Sequence, residues 1–459
     1  MSTLAPAALV VSLLLAAVTT HAAAAEPAPV AVAPPPPASI ATAPTPAQPT
    51  WQDRITLAGL YAFDNNTGRD VGFADLHVFA EAGELTSLPV GAVIDGRARH
   101  FTAPSVDDRL TLVEGNVRLG RARDPWRLTL GRQLVRPLAN TEVDGLKLDR
   151  QLTESTSLFV FGGLAPHPQT GAFDNELAIA GLGIDSRGEG ANQSGGAVAS
   201  TFGGKLDRAY LNHRAFLSFG REWTFSTFTV VDLVAPQPLV RYGTNAKVDG
   251  GLDLTSFNAL ARIRPARWWD SSLVLSHNHT VLPNRWWSDY LAAERKKRGF
   301  IIDGEEPLGT RLSSARFTQT LHVGAELAPY ARLRYDRRHA EKLDGGEARA
   351  GLKWRPRWGY TDLAYAYRDT FGVPTHLGEA MVGVDETTWG IETGVTALYG
   401  RRVREPRPAA AFNVYGSLWL GLGPLADNLK TVHLLGEYQG FIDRGALFHT
   451  FFVQVAHRI

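Results

Sequence analysis

The sequence predicts an all-β protein whose antiparallel strands close into a transmembrane β-barrel, and three observations carry this prediction. From residue 51 onward, apolar and polar residues alternate in runs of about 10 to 14 residues, the length that tilted membrane strands need. Short turns and long connections separate these runs, as in transmembrane barrels, which have short turns at one end and long loops at the other. Beyond residue 25, no stretch approaches the roughly 20 apolar residues of a membrane helix.

The amino-acid composition excludes some classes of function and favours a membrane protein built from strands. Lys and Arg number 47 and Asp and Glu number 46 among 459 residues, and this balance gives no support for a nucleic-acid partner. The chain has no cysteine, which excludes thiolate metal ligands and cysteine nucleophiles. The 45 glycines, 11 tryptophans and 12 tyrosines favour strands, turns and an aromatic belt at a membrane interface.

Residues 1–25 have the pattern of an export signal peptide. The apolar run 7–18 is long enough for the core of a signal peptide and too short for a membrane-spanning helix. Small residues at Ala23 and Ala25 then provide a cleavage site, so the mature chain is expected to begin at Glu26. This pattern predicts export from the cytoplasm of a Gram-negative bacterium.

Residues 26–50 differ in composition from everything that follows. They contain nine prolines, four of them in succession at 34–37, interleaved with Ala, Val and Thr. Such a segment lacks the backbone donors and the apolar periodicity that a strand ladder or a core needs. We expect a periplasmic tether here, a spacer more than a partner-binding arm, and a barrel over residues 51–459.

The alternation itself determines the kind of strand. In the first run, one face carries Ile55, Leu57, Gly59, Tyr61 and Phe63, and the other carries Arg54 and Thr56. In a later run, Phe317, Leu321, Val323, Ala325 and Leu327 alternate with Thr318, Thr320 and Glu326. In the last run, Phe451, Val453 and Val455 alternate with Thr450 and Gln454. A period of two indicates strands, and no helical segment separates them, which excludes a parallel α/β sheet. A soluble sandwich or propeller is the remaining alternative, but strands there average about five or six residues.

Four short turns end in tryptophan. Trp126, Trp268 and Trp358 follow turns that contain Arg and Pro, and Trp223 follows a turn without proline. Proline interrupts the hydrogen-bond ladder, and a tryptophan at the start of the next strand suits the depth of the lipid headgroups. Counted from a periplasmic N-terminus, all four turns fall between a descending and an ascending strand. We therefore expect these tryptophans to form an interfacial aromatic belt at the periplasmic end.

The long connections are expected at the opposite, extracellular end. They are residues 133–142, 164–206, 236–250 and 282–312. With 164–206 wholly in an external loop and 376–385 counted as a strand, the barrel has about 20 strands, or about 18 without one hairpin, and both counts are even, as bacterial single-chain barrels require. The 164–206 loop is rich in Gly and Ser and long enough to fold inward and narrow or close the pore.

Two stretches resemble the large porin-type barrels that include the alginate-export family. One is Leu-Thr-Leu-Gly-Arg-Gln at 128–133 with Val-Asp-Gly-Leu-Lys-Leu at 143–148, similar to a Gly-Arg-Gln strand and the Asp-Gly strand after it. The other is Leu-Leu-Gly-Glu-Tyr-Gln-Gly-Phe at 434–441 with the strand 448–459, similar to the closing hairpin of that family. The resemblance implies a barrel channel whose C-terminal strand is read by the barrel-assembly machinery.

The polar face of the strands predicts what lines the lumen, because a barrel of about 18 strands or more is too wide to be filled by side chains. The predicted basic pore-lining residues are Arg97, Arg99, Arg118, Arg262, Arg264, Arg332, Arg334, Arg349, Lys353 and Arg368. The predicted acids are Asp95, Glu114, Glu326, Glu347, Asp362 and Glu392. The basic excess favours anions, for which guanidinium groups supply paired donors. The alternative, that the arginines pair with acids on neighbouring strands and brace the wall, stays open.

Two polar features lie outside this pattern. Residues 288–298 begin with a helix-capping serine and predict a short helix, whose basic end at 295–298 contacts lipopolysaccharide phosphates, constricts the pore or only forms a solvated loop face. His277 and His279 have the spacing of two imidazoles on one strand face. No third ligand lies near them in the sequence, so no metal site is predicted.

Catalytic signatures are absent from the sequence, which has no Gly-x-Ser-x-Gly, His-Glu-x-x-His or P-loop motif. We expect no catalytic residue and no cofactor. The sequence favours an outer-membrane channel for small or polymeric anionic solutes, in contact with membrane lipid and lipopolysaccharide. The alternative is a barrel-type lipid hydrolase with scattered Ser, His and Asn residues, or a structural barrel with a plugged lumen.

Overall fold

The computed structural model describes residues 51–64, 69–83, 89–102, 109–121, 124–167, 171–234, 237–238, 247–248, 251–279, 311–339, 342–400, 409–423, 431–443 and 446–458. The predicted signal peptide, residues 1–25, and the predicted tether, residues 26–50, lie outside this part of the chain. Within the described residues, no helix is long and apolar enough to cross a membrane.

The alternating residues form 24 β-strands in the described part of the chain. In chain order they are β1 Trp51–Asp64, β2 Arg69–Ala82, β3 Val90–Phe101, β4 Arg109–Leu119, β5 Trp126–Val135, β6 Thr141–Gln151, β7 Thr156–Leu164, β8 Leu177–Gly188, β9 Ala191–Phe202, β10 Lys205–Phe219, β11 Trp223–Val234, β12 Gln237–Pro238, β13 Lys247–Val248, β14 Gly251–Ala266, β15 Trp269–His279, β16 Arg311–Leu321, β17 Leu327–Arg338, β18 Leu343–Trp354, β19 Tyr360–Asp369, β20 Pro374–Asp385, β21 Trp389–Gly400, β22 Ala409–Gly421, β23 Val432–Asp443 and β24 Ala446–Arg458. The two short strands β12 and β13 pair with each other, and the other 22 form one sheet.

The large sheet closes on itself. β1 pairs with β2 on one edge and with β24 on the other, from Arg54 opposite Arg458 to Asp64 opposite Phe448. Closure leaves no free strand edge, which in a bilayer would expose unpaired backbone groups to lipid. The prediction of an antiparallel barrel with an even strand number is confirmed, with 22 strands in the barrel instead of the expected number of about 18 to 20.

The outer face of the barrel is apolar. Large apolar side chains such as Leu57, Leu333, Leu363 and Val453 are at least half exposed, and they alternate with polar or small residues along their strands. Side chains of this size on a regular stripe are solvated by lipid in a membrane barrel. The strand register carries the same two faces from one strand to the next around the barrel, so it also identifies the residues that face the lumen.

The two ends of the barrel differ. Trp126 and Trp223 begin β5 and β11, while Trp268 and Trp358 lie in the turns before β15 and β19. All four are exposed and lie at the end where β1 begins, which we call the Trp end. The longest connections, which follow β11 and β15, both lie at the opposite end, which we call the loop end. The predicted asymmetry between short turns and long loops is confirmed.

The prediction that residues 164–206 form a wholly external loop is wrong. This stretch contains β8 and β9, a hairpin of the barrel wall that raises the strand count. The alternation is hidden there because small residues occupy the inner face of β8. A Cβ atom added at Gly181 would lie 2.5 Å from the ring of Phe161, and one at Gly183 would lie 2.6 Å from the ring of Phe159. The aromatic rings of β7 thus supply the bulk that β8 lacks.

Glu326, which was predicted to line the pore from a strand, lies in a turn. β16 ends at Leu321, and Val323 pairs with Leu327 across this turn. The chain reverses there because Gly324 adopts a φ of 69°, in the left-handed region that favours glycine. An alternating sequence therefore continued through a turn, and the pattern alone did not show where the strand stopped.

Three further predictions, on two connections and one strand, have different outcomes. The 236–250 connection is confirmed as a long one between β11 and β14, and it contains the short pair of β12 and β13. The strand predicted at 376–385 is confirmed as part of β20. Most of the 282–312 loop, including the helix predicted at 288–298, lies outside the described residues.

Candidate functional site: the barrel lumen

The inner face of the wall carries a compact apolar cluster. Phe159 and Phe161 lie on β7 next to the exposed Leu158 and Val160, so the two phenylalanine rings point into the barrel. The buried members of the cluster are Val135, Leu138, Val143, Phe159, Phe161 and Val198, and Ile179 and Tyr210 pack against it. Apolar rings on the water-filled side of a barrel need a cover, and the connection between β5 and β6 supplies it.

Residues 136–140, which we call the inner segment, cover this cluster. The predicted loop 133–142 shortens to these residues because β5 continues to Val135 and β6 begins at Thr141. At its end, Thr141 Oγ1 lies 2.6 Å from the hydroxyl of Tyr210 on β10. Since β7, β8 and β9 separate β6 from β10 in the sheet, this contact spans the concave inner side of the wall. The inner segment therefore narrows the lumen.

Hydrogen bonds and one ion pair hold the inner segment in place. The carbonyl of the fully buried Leu138 accepts hydrogen bonds from the backbone NH of Thr141 at 3.1 Å and from its hydroxyl at 2.5 Å. Arg136 Nη2 donates to Glu114 Oε2 at 2.7 Å, and Glu114 Oε1 accepts from the backbone NH of Leu134 at 3.1 Å. Glu114, a predicted pore-lining acid, thus anchors the inner segment to β4.

Tyr210 is itself held by a charged network on the inner face. The guanidinium of Arg208 lies 4.5 Å from the centre of the Tyr210 ring and forms an ion pair with Asp232 on β11. Thr255 on β14 donates a further hydrogen bond, at 2.5 Å, to the buried carboxylate of Asp232. A charged pair that is largely removed from water is stable only with such additional hydrogen bonds. The network holds Tyr210 in position, and the hydroxyl of this tyrosine contacts Thr141 at the end of the inner segment.

Nine of the ten predicted basic pore-lining residues have an acidic partner. The pairs are Arg97 and Arg99 with Asp75, Arg118 with Glu81, Arg262 and Arg264 with Asp270, Arg334 with Asp336, Arg349 with Glu379, Lys353 with Asp362, and Arg368 with Glu347. Their separations reach 3.6 Å for Arg99 and 3.9 Å for Lys353. The bracing interpretation thus accounts for most of the predicted basic residues.

Sequence reasoning missed several of these acids. Asp75, Glu81, Asp270, Asp336 and Glu379 were not among the predicted pore-lining residues, although each partners a predicted arginine. For Asp75 and Glu81 a signal was available, because both lie on the polar face of the alternating run that forms β2. Leaving these acids out made the lumen look more basic than the structure shows.

The inner faces of β16, β17 and β18 form an exception to this pairing. The register sets Arg316 directly opposite Arg334, and Arg332 directly opposite Arg349. Neither Arg316 nor Arg332 has an acidic partner among the described residues, and Nε of Arg332 is buried without a hydrogen-bond acceptor. We call these four residues the arginine cluster. Because only Arg334 and Arg349 are paired with acids, the cluster keeps an excess of positive charge.

The predicted acids fall into different environments. Asp95 pairs with His77 at 2.6 Å, and Asp362 accepts a hydrogen bond from the hydroxyl of Tyr330 at 3.1 Å. Glu392 accepts one from the hydroxyl of Tyr360. The inner face near β21 therefore carries acidic side chains whose hydrogen-bond partners are phenol groups. The lumen therefore has a mixed-charge wall with a local basic excess.

The spacing of His277 and His279 suggested that they share one environment, but the structure places them in different ones. His277 Nδ1 lies 2.8 Å from the hydroxyl of Ser313, whereas Nδ1 of His279 bonds to Asp253. Across the described residues, no three His, Asp or Glu side chains are grouped so that they could hold a metal ion. The two histidines therefore belong to separate polar contacts.

No protein-family model matches the chain, and no curated protein matches it. Among solved structures, the chain is similar to OpdQ of Pseudomonas aeruginosa, with 8% identity and a TM-score of 0.46 over 90% of this chain and 99% of that one. It is also similar to the translocation pore of the P pilus usher PapC, with 10% identity and a TM-score of 0.48 over 89% and 99%. The chain is similar as well to OpdK of Pseudomonas aeruginosa with vanillate, with 10% identity and a TM-score of 0.44 over 89% of this chain and 98% of that one.

Proposed function

We propose that the chain is an outer-membrane channel that passes anionic solutes through a lumen narrowed by the inner segment. The observation that carries this proposal is the arginine cluster, whose four guanidinium groups share two acidic partners in the described structure. A barrel of 22 strands encloses a space too wide for its own side chains to fill, so water and solutes contact this cluster.

The arrangement of the cluster argues for a ligand more than for stability. Like charges directly opposite each other on neighbouring strands are destabilising, typically by a few tenths to about 1 kcal/mol. The paired arginines elsewhere in the lumen show that an acid can neutralise a guanidinium on this wall, as Glu81 does for Arg118. A cluster that keeps its charge raises the local concentration of anions and offers paired donors for carboxylate or phosphate groups.

The membrane placement rests on the outer face. The stripe of exposed apolar side chains and the exposed tryptophans at the Trp end suit an outer membrane reached by way of the signal peptide predicted at residues 1–25. Lipid and lipopolysaccharide are then the surroundings of the wall, and β24 is the strand that the barrel-assembly machinery would read. The local resemblance to the alginate-export family extends the proposal to polymeric anions.

The test is ion selectivity in planar bilayers. The wild-type barrel is expected to conduct with a preference for chloride over potassium, measured as the reversal potential in a salt gradient. The double variant Arg316→Glu and Arg332→Glu places two carboxylates against Arg334 and Arg349, and the preference is expected to turn toward cations. The preference should weaken toward 1 M salt, where the screening length falls to about 3 Å.

A charge-neutral change at a braced pair serves as the control. Replacing both Glu81→Gln and Arg118→Gln removes one ion pair of 2.6 Å from the same lumen without changing its net charge, so selectivity should stay as in the wild type. Equal reversal potentials in the wild type and the arginine-cluster variant would refute anion selection by this cluster. A folded barrel that does not conduct would refute the channel itself.

A further inference from the structure

The outer wall carries a polar patch at the loop end, next to the exposed apolar side chains of the outer face, which we call the apolar belt. Ser313, near the start of β16, lies directly opposite His277 on β15 and directly opposite Arg337 on β17. Two positions further toward the Trp end on the neighbouring strands, Leu275 and Tyr335 are exposed on the same faces. Because residues two apart on a strand share a face, Ser313, His277 and Arg337 look out of the barrel toward lipid.

Two imidazoles hold the hydroxyl of Ser313. Its Oγ lies 2.8 Å from Nδ1 of His277 and 2.7 Å from Nε2 of His339, and the two rings meet edge-on with centroids 5.8 Å apart. A serine hydroxyl has a single proton, so one ring accepts that proton and the other donates its own to Oγ. A hydroxyl within hydrogen-bond reach of an imidazole is the arrangement that activates a serine nucleophile.

The surroundings of this hydroxyl fit a reacting centre. The backbone of Leu254 also lies within hydrogen-bonding reach of the ring of His277. Arg337 is half exposed, and its nearest described acid, Asp344, is 4.0 Å away, so its guanidinium can meet a negatively charged oxygen beside Ser313. The base, the nucleophile and a cation thus lie side by side on three adjacent strands.

The same two strands show what a serine pair looks like without this chemistry. Ser276 and Ser314 follow the other parity and face the lumen, where their hydroxyl oxygens lie 2.6 Å apart. This bond satisfies both hydroxyl groups with no histidine at all. Two imidazoles are therefore not needed to accommodate a serine on β16, and their convergence on the lipid side calls for a function.

We propose that Ser313 is the nucleophile of an acyl-ester hydrolase site on the outer wall, with His277 as its general base and membrane glycerophospholipids as its substrates. The lipid-facing position selects the substrate, because a molecule reaches Ser313 laterally, from the bilayer, with its acyl chains along the exposed apolar belt. Water reaches the site from the rim, where His339 is exposed. This activity is separate from conduction through the lumen.

The reaction proceeds in two balanced steps. Ser313 Oγ attacks the ester carbonyl carbon while its proton moves to Nδ1 of His277, and the resulting oxyanion faces the guanidinium of Arg337. The ester C–O bond breaks, His277 returns the proton to the departing alcohol oxygen, and the acyl group stays on Ser313. A water molecule then attacks the acyl carbonyl carbon while its proton moves to His277. The bond between the acyl carbon and Ser313 Oγ breaks, His277 returns the proton to Oγ, and the fatty acid is released.

The test uses the full-length refolded barrel with a phospholipid in mixed detergent micelles, and a fluorophosphonate probe that reacts with activated serines. The wild type is expected to release fatty acid and to be labelled at Ser313. Ser313→Ala should abolish both, and His277→Asn should lower the rate by about 100-fold or more, the range expected for loss of a general base. Each variant should keep the wild-type channel conductance, which shows that the barrel still folds.

Ser314→Ala is the matched control, because it removes the neighbouring hydroxyl from the opposite face of the same strand. It should keep the hydrolysis rate and the labelling of the wild type. Hydrolysis that persists in Ser313→Ala, or a folded wild type that neither hydrolyses phospholipid nor takes up the probe, would overturn the proposal. Either result would leave the channel function of the lumen untouched, so the two proposals fail separately.

Discussion

In the described structure, the inner wall of the barrel is packed with apolar side chains in one region and carries unpaired arginines in another. Across β5–β10 the lumen side is packed: Phe159 and Phe161 are buried under the inner segment and lie over glycines of the next strand. Across β16–β18 the lumen side carries charged side chains, and Arg316 and Arg332 stand opposite other arginines without acidic partners in the described structure. The first arrangement is stabilised by apolar burial. The second retains like charges on neighbouring strands, which lowers the stability of the barrel.

In the function we propose, narrowing of the lumen and selection of ions belong to separate regions of the barrel wall. The inner segment narrows the lumen, and it is held by buried apolar contacts, which salt does not screen, together with hydrogen bonds and the ion pair of Arg136 with Glu114. In the function we propose, the arginine cluster favours anions through a field that salt screens. Between the two regions lie β11, β14 and β15, where Arg262 and Arg264 share Asp270 and brace the wall. Variants in each region should therefore change different observables.

The largest expected effect is on the stability of the packed region. Phe161→Ala removes a fully buried ring from the apolar cluster and should lower the free energy of unfolding by about 3 to 5 kcal/mol. Gly181→Ala places a methyl group 2.5 Å from that ring and should cost about 1 to 3 kcal/mol. In the Phe161→Ala background the second cost should become smaller, because the ring is gone and the backbone oxygen of Ala197, 2.7 Å from the added methyl group, still crowds it. Urea unfolding in lipid vesicles measures all three.

Gly378→Ala is the control for this cycle. Its added Cβ meets no atom within 4 Å, so the unfolding midpoint should stay close to that of the wild type. Equal costs of Gly181→Ala with and without the ring of Phe161 would show that β7 and β8 are not packed as described.

The next effect is on the conductance. Leu138→Ala removes the fully buried side chain at the centre of the inner segment and should destabilise its packing by about 2 to 5 kcal/mol. Tyr210→Phe deletes the hydroxyl that lies 2.6 Å from Thr141 Oγ1 and should cost about 1 kcal/mol. Single-channel recording should show a larger and noisier conductance for both, more so for Leu138→Ala, with the ion preference unchanged. A wild-type conductance in Leu138→Ala would mean that the inner segment does not limit flow.

The same comparison explains how far the sequence could predict the structure. Strands whose two faces differ in polarity were predicted, including the closing strand β24, because alternation records an apolar environment on one side and water on the other. β8 was missed because its inner face is covered by Phe159 and Phe161, so small residues replace polar ones there. Glu326 was misplaced because an alternating pattern continued through the turn at Gly324.

The candidate site was predictable in part for a related reason. Parity identifies the face of a strand, so the arginines of the lumen could be named from the sequence. Their partners depend on tilt and register, as with Arg349 on β18 and Glu379 on β20, which are separated by β19. The arginine cluster and the site at Ser313 both depend on such register, and neither could be assembled from a single strand.

The smallest expected effect is the one that separates the two regions most sharply. Arg332→Gln removes one of two like charges that face each other across β17 and β18, together with a buried Nε that lacks an acceptor. The free energy of unfolding should therefore stay the same or rise by about 0.2 to 1 kcal/mol, although the anion preference falls. Asp75→Asn, which takes the acid away from Arg97 and Arg99, should do the reverse and destabilise the barrel. If Arg332→Gln destabilises as much as Asp75→Asn, then Arg332 braces the wall like its neighbours, and the cluster is not a site kept charged for anions.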